Sequence, residues 1–178
     1  MARPPSRRAL DSVLVATGIA GLLSGAPSTT HALATHGSVL AAVRAAASLV
    51  PGRSWRAQTR HPRLADVAAG GLAHTAVSLF WGVVLGRVLP PGRRARWGAA
   101  AGVAIHVVDL GLIARLPRLA PMRRLPSLPQ LADHIAFGLT FGLVLDVLEP
   151  PTTHAEPAQP GSAGSVADDQ ATSSSAAG

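Results

Sequence analysis

Long apolar stretches alternate with short basic or proline-rich segments along most of this chain. The four stretches cover residues 9–26, 67–89, 97–116 and 131–148. Because an α-helix rises about 1.5 Å per residue, each can cross most or all of a hydrocarbon layer about 30 Å thick. The pattern predicts an all-α integral membrane helical bundle of four spans plus a short membrane-embedded or interfacial helix, with five spans as the alternative.

Residues 30–50 decide between four and five spans. They follow Pro27, where we expect the first helix to end because the residue before a proline is disfavoured in the helical region. The segment is alanine-rich but carries His31, His36 and Arg44. A charge at mid-membrane depth costs about 2.5–3.5 kcal/mol, so hydrophobicity favours four spans. The distribution of arginines between the two sides favours an odd number.

Composition divides the chain into three parts. Residues 1–8 form a basic N-terminal segment, residues 9–148 the transmembrane helical domain, and residues 149–178 a tail rich in Pro, Ala and Ser. The tail has no apolar periodicity, and we expect it to be disordered. Arg7 and Arg8 before an apolar core also resemble a twin-arginine export signal, which gives a cleaved, exported protein as a less favoured alternative.

Charge and composition support a membrane location. Hydrophobic residues make up 48% of the chain and charged residues only 14%, against about 25% in soluble domains. The net charge is +7 and every basic side chain is arginine, clustered at the ends of apolar stretches as in Arg93, Arg94 and Arg96. That placement is typical of multi-pass proteins of the inner (plasma) membrane, in contact with the lipid bilayer. With 3% aromatic residues, the chain has no stacking platform for bases, so nucleic acid is not an expected partner.

Each apolar stretch carries two glycines four residues apart. Such pairs let helix backbones approach closely, which drives helix association in lipid. They predict a tightly packed bundle, with a homo-oligomer or another membrane protein as the candidate partner. The helix-packing residues are Gly21 and Gly25, Gly82 and Gly86, Gly98 and Gly102, and Gly138 and Gly142.

Ionisable side chains inside the apolar stretches form a candidate polar site. Consecutive spans run antiparallel, so His74, His106, Asp109 and His134 should lie about 5–15 Å deep in the same half of the bilayer. Asp66 and Asp133 lie near the same rim. Ionisable groups at such depth are expensive and usually face the bundle interior. The site could bind a metal through the three histidines, hold haem or relay protons, or be a purely structural hydrogen-bonded cluster.

Two functional interpretations stay open at this point. The first is a structural or partner-binding bundle, and the second is a membrane binding or transport protein with a His/Asp intramembrane site for a metal, haem or protons. No catalytic motif predicts an enzyme, and no cofactor is identified. Trp81 and Trp97 are candidate anchors at the membrane interface, and Asp146 and Glu149 are expected to be solvated at the end of the last helix.

Several strings resemble a group of small uncharacterised multi-pass membrane proteins of high-GC bacteria. They are residues 24–29 with 31–34, residues 42–46, residues 74–81 and residues 131–138. The resemblance covers about residues 9–148 and implies membrane location and a bundle fold. It adds no catalytic residue.

Overall fold

A computed structural model describes residues 7–51 and 64–150, and this part of the chain is all helical. The predictions for the first six residues and for the tail beyond residue 150 lie outside the described residues. The helices are α1 (Arg7–Leu23), α2 (Ala26–Ala34), α3 (Ala41–Ala46), α4 (Leu64–Val88), α5 (Arg94–His106) and α6 (Ser127–Leu148). A π-helical segment, Val107–Leu112, continues α5, and short 3₁₀ turns follow Ala46 and occupy residues 113–124.

Four helical segments are long and apolar enough to cross a membrane: Arg7–Ala34, Leu64–Val88, Arg94–Arg115 and Ser127–Leu148. Each carries large apolar side chains on its outer surface, including Leu22 (85% exposed), Leu72 (71%) and Val147 (79%). An outer surface of this kind matches lipid rather than water. The predicted all-α membrane bundle with four long apolar helices is confirmed.

Antiparallel helix pairs build the bundle. Thr17 faces Gly82 while Val13 faces Gly86, so α1 runs opposite to α4. Gly98 faces Gly138 and Gly102 faces His134, so α5 runs opposite to α6. The beginnings of α1 and α5 and the ends of α4 and α6 therefore share one end of the bundle, called here the Arg94 end. The opposite end, where α4 and α6 begin, is called the cavity end.

The core is made of a few small and large apolar side chains from all four long helices. Ala16 and Ala20 of α1 are fully buried, and they let the larger residues of the other helices approach. Those larger residues are Leu85, Leu89, Ile105, Phe137, Phe141 and Leu145.

Residues 24–51 do not form a fifth span. The first helix breaks at Ser24 and Gly25, before the expected stop at Pro27. Pro27 instead lies in the first turn of α2, where its missing N–H leaves no helical hydrogen bond unmade. α2 has nine residues and α3 has six, so neither is long enough to cross a bilayer. His36, with φ of 52°, turns the chain back between them.

Three of the four glycine pairs are used inside the chain. A Cβ atom on Gly82 or Gly86 would overlap the side chain of Thr17 or Val13 on α1. On α5 and α6 the contact is tighter, because backbone meets backbone. A Cβ on any glycine of these two pairs would overlap a carbonyl group of the facing helix. The first pair differs: Gly21 is in ordinary contact with Ser78, and Gly25 faces open space.

Candidate functional site

A cavity of about 600 Å³ lies between the helices at the cavity end. Its walls are mostly apolar, and they include residues of the returning segment around α3 and of the 3₁₀ turns that follow the third span. Ligand pockets in proteins usually measure about 300–1,000 Å³ and combine apolar walls with a few polar groups. The ionisable residues that line this cavity are His74, Asp109, Asp133 and His134.

Asp109 is held between two neighbouring helices. It lies on the π-helical segment Val107–Leu112. π-helical turns are rare in proteins, and a large share of them occur at functional sites. The indole Nε1–H of Trp81 on α4 donates to both carboxylate oxygens, at 3.1 and 3.3 Å. The second partner is His134 on α6, whose Nε2 lies 3.6 Å from Asp109 Oδ2.

The contacts of His134 fix the orientation of its ring. Its Nδ1 lies 2.6 Å from the carbonyl oxygen of Gln130, and because a carbonyl only accepts, Nδ1 carries the hydrogen. In the neutral ring, Nε2 then has a lone pair that faces the Asp109 carboxylate. Two acceptors facing each other repel, so the contact is favourable when His134 Nε2 also carries a hydrogen. This arrangement suits a proton-binding site.

His106 packs against His134 rather than lining the cavity. The two imidazole rings meet edge to face, with centroids 5.2 Å apart. The Nδ1 atom of His106 is buried, and within the described chain it has no hydrogen-bond partner. The four predicted site residues therefore reach the same end of the bundle, but His106 contributes through His134.

Asp133 is the second carboxylate of the cavity. Its Oδ1 accepts the backbone N–H of Ser28 on α2 at 2.9 Å, and its Oδ2 accepts the side-chain amide of Gln130 at 3.4 Å. Both donors are neutral. The contact with Ser28 also fixes α2 against the start of α6, so this carboxylate joins two elements that are far apart in sequence.

His74 contacts the last turn of α1, next to the break between α1 and α2. Its Nε2 lies 3.2 Å from the carbonyl oxygen of Gly21, within the last turn of α1. His74 reaches the cavity from α4, whereas Asp109 and His134 reach it from the third and fourth spans. In residues 7–51 and 64–150, no three His, Asp or Glu side chains form a group that could hold a metal ion.

Sequence reasoning missed three residues of this site. Trp81 was expected at the membrane interface, but its indole holds Asp109 inside the bundle. Ser28 and Gln130 carried no signal, since a hydroxyl residue near a helix start and a single glutamine have many ordinary uses. Asp133 was placed at the rim, and its position next to His134 in the sequence was the available clue.

A second polar cluster lies at the Arg94 end, and it overturns the expectation that Asp146 and Glu149 are solvated. Arg94 Nη2 lies 3.1 Å from Glu149 Oε2, and Nη1 donates to the carbonyl oxygens of Leu145 and Glu149. Asp146 accepts the backbone N–H groups of Gly92 and Arg94. It thereby caps the start of α5, where unpaired N–H groups favour an anion. The cluster closes the α5–α6 pair at this end of the bundle.

The chain was also compared with known proteins. Comparisons with protein-family models, with curated proteins and with solved structures find no match to this chain. The resemblance to small membrane proteins of high-GC bacteria therefore stays a prediction.

Proposed function

We propose that this chain is a multi-pass protein of the inner membrane that binds a small ligand in the cavity between its helices. The observation that carries the proposal is the cavity itself, with a volume of about 600 Å³, apolar walls and convergent polar groups. A purely structural cluster of histidines and carboxylates would need no such space, because close packing is the norm in protein interiors.

The glycine pairs also favour ligand binding over a partner-binding role. A partner helix would need a free glycine face, and three of the four pairs are covered within the chain. The structural or partner-binding interpretation stays a prediction, and among the paired glycines Gly25 faces open space. A mass measurement of the detergent-solubilised protein, wild type beside Gly25→Leu, tests it: a dimer that the substitution dissociates would support it.

The ligand-binding proposal is tested by identifying what co-purifies with the full chain. Mass spectrometry of solvent extracts, with elemental analysis and an absorption spectrum, covers organic ligands, metals and haem together. We expect a stoichiometric organic molecule in the wild type. Its amount should fall in Ala42→Phe, which fills the cavity wall, and stay unchanged in Ala104→Phe, which points outward on α5.

Two results would contradict the proposal. An extract that contains only bulk lipid in both proteins leaves the cavity without a ligand. A stoichiometric metal or haem band that is lost in His106→Ala would replace the organic ligand by a metal or haem site. The His106 substitution separates these cases, because His106 does not line the cavity.

A further inference from the structure

Resting on the ligand-binding function proposed above, we infer that the ligand is an organic cation: an apolar molecule that carries one amine or quaternary ammonium group. The inference rests on an apolar cavity that brings together two carboxylates and three aromatic side chains. Among the described residues that line it, histidine is the basic side chain present.

The two carboxylates of the cavity differ in their partners. Asp109 has the Trp81 N–H and, 3.6 Å away, Nε2 of His134 as partners inside the protein. In the described part of the chain, the hydrogen-bond donors to Asp133 are the Ser28 N–H and the Gln130 side-chain amide, and both are neutral. An ionised carboxylate at this depth is expensive, and a bound cation offsets that expense.

Aromatic rings complete the surroundings that organic cations prefer. Phe80, Trp81 and Phe137 all line the cavity, and Trp81 is fixed by its bond to Asp109. The faces of aromatic rings attract amine and quaternary ammonium groups, and the attraction strengthens when water is excluded. A small inorganic cation would leave these rings and the apolar walls unused. An anion would meet two carboxylates and, among the described lining residues, no arginine.

A pair of probes with equal shape and opposite charge tests the inference. Tetraphenylphosphonium is a permanent cation, tetraphenylborate is its anionic counterpart, and triphenylphosphine oxide is a neutral molecule of similar bulk. Equilibrium dialysis of the full chain in uncharged maltoside micelles, corrected with protein-free micelles, measures the binding of each. We expect tetraphenylphosphonium to bind at least about tenfold more tightly than the other two, as the loss of one charged contact implies.

Substitution of Asp133 gives the second arm. Asp133→Asn keeps an oxygen that accepts the Ser28 N–H but removes the charge, so tetraphenylphosphonium affinity should fall about tenfold or more. The matched control is Asp11→Asn, an exposed carboxylate on α1 towards the Arg94 end, which should leave the affinity unchanged. The comparison of probes on the wild type needs no variant, so it decides the question even where Asp133→Asn does not fold.

The outcomes separate this inference from the proposed function. If triphenylphosphine oxide or tetraphenylborate binds as tightly as tetraphenylphosphonium, and Ala42→Phe weakens that binding, the cavity takes small molecules and the preference for cations is wrong. An unchanged affinity in Asp133→Asn also overturns the inference. If no probe binds the wild type, both the inference and the ligand-binding function fail.

Discussion

At the scale of single residues, the close approach of α5 and α6 depends on glycines that have no side chain. The carbonyl groups of Gly98 and Gly138 each occupy the space that a Cβ atom on the other would fill. A backbone carbonyl cannot move aside as a flexible side chain can, so a methyl group there must push α5 and α6 apart. These two glycines allow α5 and α6 to approach closely because they have no side chain.

We therefore expect Gly138→Ala to destabilise the protein by about 1–3 kcal/mol, the usual cost of an overpacked core. The control is Gly71→Ala on α4, where a Cβ meets open space, and where replacing a helical glycine is neutral or stabilises by up to about 1 kcal/mol. Unfolding of both variants in mixed micelles with increasing SDS measures the difference. Equal stability of the two variants would contradict the contact between α5 and α6.

A further residue-scale prediction concerns Arg94, whose side chain is only 10% exposed while its carboxylate partners are 24% and 30% exposed. Arg94→Met should destabilise the protein by about 1–4 kcal/mol, between the ranges for exposed and buried pairs. Arg93→Ala, at the neighbouring exposed position, is the control and should change stability by less than about 0.5 kcal/mol. The same SDS unfolding measurement serves, and a loss no larger than that of the control would show that the cluster is not stabilising.

Individual polar partners were the least predictable part of the sequence. Asp146 and Glu149 lie at the end of a helix, where charged residues are usually solvated. Arg94 reaches them because α5 and α6 pack antiparallel. The same holds for Trp81 and Asp109, which lie 28 residues apart. Such pairs depend on how two helices are rotated about their axes, and the apolar pattern along each helix does not determine that rotation.

At the scale of elements, the pairing of α1 with α4 offers a direct test, because the chain contains no cysteine. A Cβ on Gly21 would lie 3.6 Å from the Cβ of Ser78, within the range that disulfides span. Gly21→Cys with Ser78→Cys should form a disulfide under mild oxidation, seen as a mobility shift that a reductant reverses. Gly18→Cys with Ser78→Cys should not, since Gly18 has no neighbour within 4 Å. Cross-linking of the second pair alone would mean a different pairing of α1.

Breaks within helices were only partly predictable. Pro27 marked the region where the first helix is interrupted, but it lies inside the following helix because proline fits a first turn. The π-helical segment around Asp109 was not predicted, since it lies in an apolar run that reads as the continuation of one long helix. It forms where the contacts of Asp109 with α4 and α6 replace a regular α-helical backbone.

At the scale of the whole molecule, four crossings place both ends of the helical domain on the same side of the membrane. Single cysteines at Arg8, Arg93 and Arg118, all exposed positions, can be labelled with a membrane-impermeant maleimide. We expect the cysteines at Arg8 and Arg93 to label from one side and the cysteine at Arg118 from the other. Five crossings would instead place Arg8 with Arg118, opposite to Arg93.

The number of spans was predictable because it follows from the length and hydrophobicity of continuous stretches, and lipid requires both. The cavity was not. Val39 and Leu49 reach it from the returning segment around α3, and Met122 and Leu125 reach it from the turns before α6. No local sequence pattern indicates that these two connecting segments line the same cavity. The sequence therefore predicted that His74, Asp109 and His134 lie towards the same end of the bundle, but not the cavity beside them.

The third span has a consequence for biosynthesis. It carries two groups that lipid disfavours, Arg94 and Asp109. Trp81 on the second span is one partner of Asp109, but the ionisable partners are His134 and Asp146 on the fourth span and Glu149 just after it. When the third span leaves the ribosome, those ionisable partners have not yet been made. We therefore expect the third and fourth spans to enter the bilayer together as a helical hairpin. A chain that stops before residue 127 should leave the third span outside the membrane, where an added glycosylation site would report it.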